Sequence, residues 1–454
     1  AGRGEFLLLA WVALFGAAGY GVVRWRGRLQ NVASILTVVG VALVAMPLIS
    51  IAPTLYSAGQ ARMKTAAYQA PTSLPEPTPR GDASAREADP TVTRATPSAA
   101  PAATATGAQP PVLPEAPEKP SIYYIILDGY ARADVLQEVY GYDNSDFVEA
   151  LASRGFYVAG QSRANYCQTF LSLASSLNST YLDDVAGRMG ETSDDRRPLQ
   201  DMLRTNTVAA LLKQEGYTYV TYGTGYAEGE LNSADVYVTA PRSLTQFQSE
   251  LVGTAPISPV IKYQYDMHRD RLLYAFGHVP DAAEMEPPVF VLAHVTCPHP
   301  PFVFDENGEA VTPTGEFNFA DGNHYIGGSS REEYIQGYLK QLRFVNGKAL
   351  ALVDEILARS PEPPVIILQS DHGPGSRLDW NSVENTYLKE RMSILNAYYL
   401  PAGGEARLYD TITPINTFRI VLNHYLGTNY ALLDDKSYFS TWPEPYRFYP
   451  VPED

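Results

Sequence analysis

Four short clusters in this 454-residue chain combine side chains that can bind a cation, attack an electrophile or move a proton. Asp128-Gly129 follows the apolar run at 122–127. His294 ends a second apolar run at 289–294 and opens a loop that reaches His299 through Cys297 and Pro298. Asp371-His372-Gly373 follows a third run at 365–370. The fourth segment, Asn165-Tyr166-Cys167-Gln168-Thr169, leads from a loop into small and apolar residues that read as a helix, with Thr169 near its N-terminus. Asp and His offer oxygen and nitrogen ligands to a divalent cation, and an adjacent pair such as Asp371-His372 can reach one ion. A threonine hydroxyl is a weak nucleophile unless coordination lowers its pKa and orients it. A helix N-terminus stabilises an anion brought against it. A histidine such as His299 can bind a non-bridging oxygen or protonate a leaving group. Each cluster also has a plainer reading: a turn aspartate, a loop ion pair, an N-cap threonine, a packed histidine. Arg377, Trp380 and Asn381, which follow the Asp-His pair closely, and Asn165 are candidates for a substrate rim or for ordinary loop positions.

Positioning such clusters is the work of the elements before them. An unbroken apolar run ending in a polar residue reads as a parallel strand buried on both faces, with its carboxyl end opening into a loop. Residues 156–159, 217–222 and 396–400 read as further strands. Helical patterns occupy 135–154, 208–215 and 415–426. A long amphipathic helix is expected over 331–360, where Tyr334, Tyr338, Leu342, Val345, Leu352 and Ile356 recur near helical spacing. Strands alternating with helices predict an α/β fold with a mainly parallel sheet flanked by helices. Ligands of such folds bind beyond the carboxyl ends of the strands.

The first quarter of the chain is of another kind. Residues 6–23 and 32–53 are uncharged and mostly apolar, each long enough for a transmembrane helix. Arg24, Arg26 and Arg28 lie between them, which favours a cytoplasmic loop and places the chain beyond about residue 54 outside the cytoplasm. The chain does not begin with Met, so further upstream spans are expected. Residues 57–119 form a linker; from residue 68 it is rich in Pro, Ala, Thr and Ser and too poor in large apolar groups to fold, so disorder is expected. Residues 120–454 read as the globular domain. The net charge of −16 is segregated: residues 1–64 carry +5, residues 65–120 carry −2, and the remainder carries −19. A domain so acidic is no nucleic-acid binder. Its two cysteines, Cys167 and Cys297, are too few for a disulfide scaffold or a cysteine-based zinc site. Both fall in loops beside the clusters, as a disulfide or as two small buried side chains.

The order of these pieces resembles the alkaline phosphatase/sulfatase superfamily over about residues 120–430: Asp-Gly after the first strand, Thr at a helix start, a His-rich loop, then Ser370-Asp371-His372-Gly373. Within it, the chain is most similar to the membrane-anchored branch that includes lipoteichoic acid synthases and phosphoethanolamine transferases. Residues 389–401 are also similar to the strand that follows in that branch. The resemblance implies an alkaline-phosphatase-like fold and one divalent metal ion held by Asp128, Thr169, Asp371 and His372. Thr169 would be the covalent nucleophile, and His299, rather than His294, would contact substrate. Ligand type favours Mn2+ or Zn2+ without separating them, and leaves Mg2+ and Ca2+ open. The implied protein is a multi-pass cell-membrane enzyme with an extracytoplasmic domain, acting at the lipid bilayer on phosphoester head groups or envelope polymers by transfer or hydrolysis. Sulfate or phosphate monoester hydrolysis on the same fold is one alternative, and a non-catalytic ligand-binding surface protein is another. Residues 167–171 lack the small residue or Pro, and the Arg, that accompany formylglycine formation in sulfatases. No full second metal set is apparent, so one ion is expected.

Overall fold

The computed structural model describes residues 119–226, 230–231, 233–241, 258–315 and 317–452. The spans expected at 6–23 and 32–53, and the linker at 57–119 apart from Lys119, lie outside the described residues. No described helix is long and apolar enough to cross a membrane.

The apolar runs form the centre of a sheet. β1 (Ile122–Leu127) is buried along its whole length. It pairs in parallel with β5 (Val289–Val295) on one side and β6 (Val365–Gln369) on the other. Side chains on both faces of these strands are removed from water, which is why the sequence shows no alternation. β3 (Thr218–Tyr222) and β4 (Val236–Val238) extend the sheet in parallel beyond β5. On the other side β7 (Asn396–Tyr399) runs antiparallel to β6, and β2 (Tyr157–Val158) antiparallel to β7. The order is β2-β7-β6-β1-β5-β3-β4, a mostly parallel seven-stranded sheet. β4 is an addition to the strands expected from sequence, and a small sheet joins β8 (Tyr438–Phe439) to β9 (Tyr449–Pro450).

In chain order the helices are α1 (Ala133–Tyr140), α2 (Ser145–Ser153), α3 (Thr169–Asn178), α4 (Asp183–Met189), α5 (Arg197–Arg204), α6 (Thr207–Gln214), α7 (Ser258–His278), α8 (Asn323–Ile326), α9 (Arg331–Arg359), α10 (Leu388–Met392) and α11 (Pro414–Tyr425). The single helical region expected over 135–154 is therefore two helices. Gly141 ends α1 in a left-handed cap at φ 63°, a conformation that costs glycine nothing.

α9 does more than cover the sheet. It starts in a capping box between Ser330 and Glu333. Its buried face sends polar tips into the loops at the strand exits. The Tyr334 hydroxyl donates to Asp321 Oδ1 at 2.7 Å and accepts from the Gly375 amide at 2.8 Å. Tyr338 does the same between the Gly129 carbonyl (3.0 Å) and the Ala131 amide (3.1 Å). Gln341 donates to the carbonyls of Pro298 and His299 at 3.2 and 3.1 Å. Positions 334, 338 and 341 share one helix face. That face holds the loops after β1, β5 and β6 in fixed register.

α7 carries His268, fully buried, with ring centroids 5.4 Å from Phe317 and 5.3 Å from Phe319 and no hydrogen-bond partner on either ring nitrogen. Burial, aided by Arg271, His299 and Arg269, pushes its pKa down from 6.5 to about 3. The unfolded chain thus binds the proton before the folded one does, and stability falls as pH drops from about 6.5 toward 3. Between about pH 6.5 and pH 5 the wild-type protein is expected to lose about 2 kcal/mol more than His268→Leu. Urea denaturation at the two pH values measures this, and equal losses would show that His268 does not titrate on unfolding.

Candidate active site

The registry of the sheet brings the clusters together. Leu127 pairs with Val295, and Ile126 with both His294 and Gln369. Asp128, the His294–His299 loop and Asp371-His372 therefore leave the sheet at one edge. The remaining piece comes from α3, docked on that edge by the Ser172 hydroxyl, which donates to the Asp371 carbonyl at 2.7 Å. This sets Thr169, the first residue of α3, over the Asp-His pair, with Oγ1 3.0 Å from His372 Nε2. No side chain caps α3, which leaves the amides of its first turn for other partners. Gly373 permits the tight turn after His372, because a Cβ there would lie 2.0 Å from the Glu390 carbonyl oxygen.

Asp128, His294, Asp371 and His372 are all nearly inaccessible to water. Asp128 Oδ2 accepts from His294 Nε2 at 3.0 Å, and Oδ1 lies 3.7 Å from His372 Nε2. Asp371 Oδ1 accepts the Gly129 amide at 3.4 Å, and Oδ2 lies 3.3 Å from His372 Nε2. Neither Asp128 Oδ1 nor Asp371 Oδ2 has a hydrogen-bond partner, although both are buried. An orphaned carboxylate oxygen costs several kcal/mol in such surroundings, and a cation removes that cost for both at once. His372 Nδ1 donates to the Gly373 carbonyl at 3.0 Å, which fixes the tautomer and turns the Nε2 lone pair toward the carboxylates. Among the described residues, two overlapping sets have ligand atoms close enough to hold a metal: Asp128, His299 and His372, and Asp128, His294 and Asp371. The residues present thus fit a divalent ion.

Charge is tuned accordingly. Burial opposes ionisation of Asp128, but His299, His294 and His372 outweigh it and hold the carboxyl well below the usual range. Burial, with the Arg391 cation next in weight, lowers the pKa of His372 and keeps its ring neutral, the form that ligates metals. At His294 burial also acts downward, yet the hydrogen bond and charge of Asp128 prevail and the net shift is upward.

These groups floor a cavity of about 260 Å3 whose walls include Phe170, Tyr226, Phe319, Trp380 and Trp442. Asp128, Thr169, His299 and His372 line it; Asp371 lies beneath, behind the first layer of side chains. His299 Nδ1 donates to the Pro300 carbonyl at 2.6 Å, and Nε2 faces Asp321 Oδ2 at 3.8 Å. Trp380 is in the wall, its Nε1 donating to the Asp321 carbonyl at 3.1 Å. Two expected rim residues are elsewhere. Asn165 is fully buried away from the cavity and its amide is used up, donating to Thr413 Oγ1 (3.0 Å) and the Lys436 carbonyl (2.9 Å) and accepting from the Ile415 amide (2.9 Å). It fastens the start of α11. Arg377 points outward, its guanidinium 5.1 Å from the centre of the Tyr387 ring, in a shallow depression separate from the cavity. Proximity in sequence to the Asp-His pair did not carry it inward.

Sequence reasoning missed Asp321 and Arg391. Arg391 is fully buried and donates to Asp321 Oδ2 (2.7 Å), the Gly373 carbonyl (2.8 Å) and the Cys167 carbonyl (2.9 Å), with its guanidinium 4.9 Å from the centre of the Trp380 ring. Burial works against the charge of Asp321, but Arg391, then His299, prevails and lowers its pKa. The fully charged pair sets a fixed positive group in the cavity wall. In the sequence Arg391 stands beside Lys389 and Glu390, in a run of charges that reads as solvent-exposed and gives no sign of its burial. Cys167 and Cys297 are both free and buried, so the small-side-chain reading holds rather than the disulfide. Burial raises the pKa of Cys167, and its thiol is turned to Ser440 rather than to the cavity.

No protein-family model matches the sequence, and no curated protein does. Among solved structures the chain is similar to the C-terminal periplasmic domain of the phosphoethanolamine transferase EptC from Campylobacter jejuni, at 11% identity and a TM-score of 0.43, covering 68% of this chain and 90% of that one. It is similar to the corresponding domain from Escherichia coli in complex with Zn, at 12% identity and a TM-score of 0.45, covering 76% and 96%. A putative sulfatase from Bacteroides thetaiotaomicron matches at 12% identity and a TM-score of 0.45, covering 72% and 74%. At such identities the chemistry has to be read from the side chains themselves.

Proposed function

We propose that residues 120–454 form a metal-dependent catalytic domain of the alkaline phosphatase/sulfatase superfamily that transfers or hydrolyses phosphoesters through Thr169. The observation that carries this reading is a hydroxyl at a helix start, 3.0 Å from a histidine nitrogen that also faces two buried carboxylate oxygens without partners. Asp128, Thr169, Asp371 and His372 would hold one divalent ion, Mn2+ or Zn2+ by ligand type, with Mg2+ or Ca2+ open. Bound there, it would supply Lewis-acid stabilisation of charge and lower the pKa of a coordinated hydroxyl.

The protein's own groups account for the rest. Thr169 Oγ1 attacks phosphorus as the alkoxide, its proton having left to bulk water; a bond forms between them, and the bond to the leaving oxygen breaks. His299, as imidazolium, gives that oxygen its proton. The amides at the start of α3 and the Arg391 cation offset the negative charge of the phosphoryl oxygens. An acceptor alcohol or water, losing its proton to His299, then attacks the phosphothreonine and restores Thr169. Trp380 and the other aromatic walls would exclude water and hold the remainder of the substrate. The cavity is suited to a head group or a polymer end rather than a long chain. The apolar segments at 6–23 and 32–53, with the linker at 57–119, would tether the domain on the outer side of the cell membrane, at the lipid surface where such substrates lie.

Turnover of bis(p-nitrophenyl) phosphate and of p-nitrophenyl sulfate by the purified protein, with Mn2+ or Zn2+ and with a chelator, tests this. Metal-dependent cleavage of the diester with the sulfate left intact is expected. Faster cleavage of the sulfate would refute the phosphoester assignment.

A further inference from the structure

The turn that carries Thr169 is held by residues far away in the chain. Gln168, fully buried, occupies the N-cap position of α3 in an extended conformation (φ −116°, ψ 138°), and its side chain does not cap that helix. Its amide nitrogen donates instead to Ser440 Oγ (3.0 Å), the Thr441 carbonyl (3.0 Å) and the Ser440 carbonyl (3.3 Å). The Ser440 amide donates to Cys167 Sγ at 3.2 Å. The segment at 440–442 therefore crosses the nucleophile turn, and Trp442, which it carries, forms part of the cavity wall.

One side chain ties the two together. Arg196, just before α5, donates through Nη2 both to Gln168 Oε1 at 3.1 Å and to the Trp442 carbonyl at 2.5 Å, and its guanidinium lies 4.1 Å from the centre of the Trp442 ring. On the opposite side the Trp442 amide donates to the Trp380 carbonyl at 2.8 Å. Arg196 does not line the cavity. We infer that Arg196 is a positioning residue, pinning the C-terminal strap at 440–442 to Gln168 so that Thr169 is held against His372. The inference rests on the reading of Thr169 as nucleophile. A planar guanidinium stacks on an aromatic face while its fixed fork of N–H groups serves the acceptors; an ammonium on its flexible stem offers the donors without the fork or the stacking.

The test compares Arg196→Ala, Arg196→Lys and Trp442→Phe with the wild-type protein. It reads kcat and KM on bis(p-nitrophenyl) phosphate, bound metal, and amide hydrogen exchange across 168–172 and 438–442. Displacing a reacting atom by a fraction of an ångström is expected to lower kcat of Arg196→Ala by about 10–100-fold. KM and metal content should change little and exchange in both segments should rise. Arg196→Lys should recover part of kcat. Trp442→Phe keeps the backbone carbonyl and should move KM rather than kcat. Wild-type kcat with unchanged exchange in Arg196→Ala overturns the inference, as does a loss of kcat that only follows lost metal or lost folded protein. A wild-type protein inert toward the diester overturns the function reading instead, and exchange alone then decides whether Arg196 couples the two segments.

Discussion

Thr169→Ala is expected to lower phosphodiester turnover by about three orders of magnitude or more, the scale associated with removing a covalent nucleophile, while the protein stays folded. Thr169 is the first residue of α3, where alanine is well tolerated. Its hydroxyl makes one hydrogen-bond-length contact, to His372 Nε2, whose loss costs about 1 kcal/mol. The docking of α3 depends on Ser172 and the Gln168 side chain, which the substitution leaves in place. Activity and stability should therefore separate. Thr169→Ser keeps the oxygen and should retain part of the activity. Acid quenching during turnover of bis(p-nitrophenyl) phosphate, followed by peptide mass spectrometry, should find a p-nitrophenyl phosphoryl group on Thr169 in the wild-type protein and none at that position in the alanine variant. Undiminished turnover by the alanine variant would remove Thr169 from the mechanism.

Asp371→Asn is expected to reverse the effect of metal on stability. In the metal-free protein, Asp128 and Asp371 each bury an unpaired carboxylate oxygen near the same imidazole. Neutralising one relieves repulsion and desolvation cost, so the metal-free variant should be at least as stable as the wild type. With metal the order inverts. A cation that binds only the folded state adds about 2.7 kcal/mol at a hundredfold excess over its dissociation constant. That gain should shrink sharply when an anionic ligand becomes a neutral amide. Thermal unfolding in EDTA and across a Mn2+ or Zn2+ titration, with metal content by mass spectrometry, measures both halves. A variant that binds metal as tightly as the wild type would exclude Asp371 from the ligand set. Its full burial makes it the best probe, since no solvent can replace the lost charge.

Much of the site's frame was legible in the sequence for one reason. The runs at 122–127, 289–294 and 365–370 lack alternation, and only a strand covered on both faces accommodates that pattern. Parallel strands align their carboxyl ends, so the polar residues after each run had to emerge at one edge. That reasoning reached Asp128, His294, His299, Asp371 and His372 as neighbours. It also reached α9, whose Tyr334 and Tyr338 were read as core from their spacing. Their second role, holding loops by their hydroxyls, needed the coordinates of those loops.

What the sequence determined by itself, then, is the central strands of the sheet, the polar residues at their exits and the contrast between two uncharged apolar segments at 6–23 and 32–53 and an acidic remainder. Tertiary structure decided which distant side chains complete the site. Asp321 and Arg391 are 70 residues apart and meet only because the loop before α8 and the short helix α10 fold over the same edge. Ser440 and Trp442 reach the Thr169 turn across more than 270 residues. Conversely, Asn165 and Arg377, close to site residues along the chain, are engaged elsewhere, Asn165 by the start of α11 and Arg377 by the Tyr387 ring. Local pattern encodes burial and period, which are properties of one segment. A cavity wall is a property of several segments at once, and their relative placement is fixed by packing and charge pairing that no single stretch of residues records.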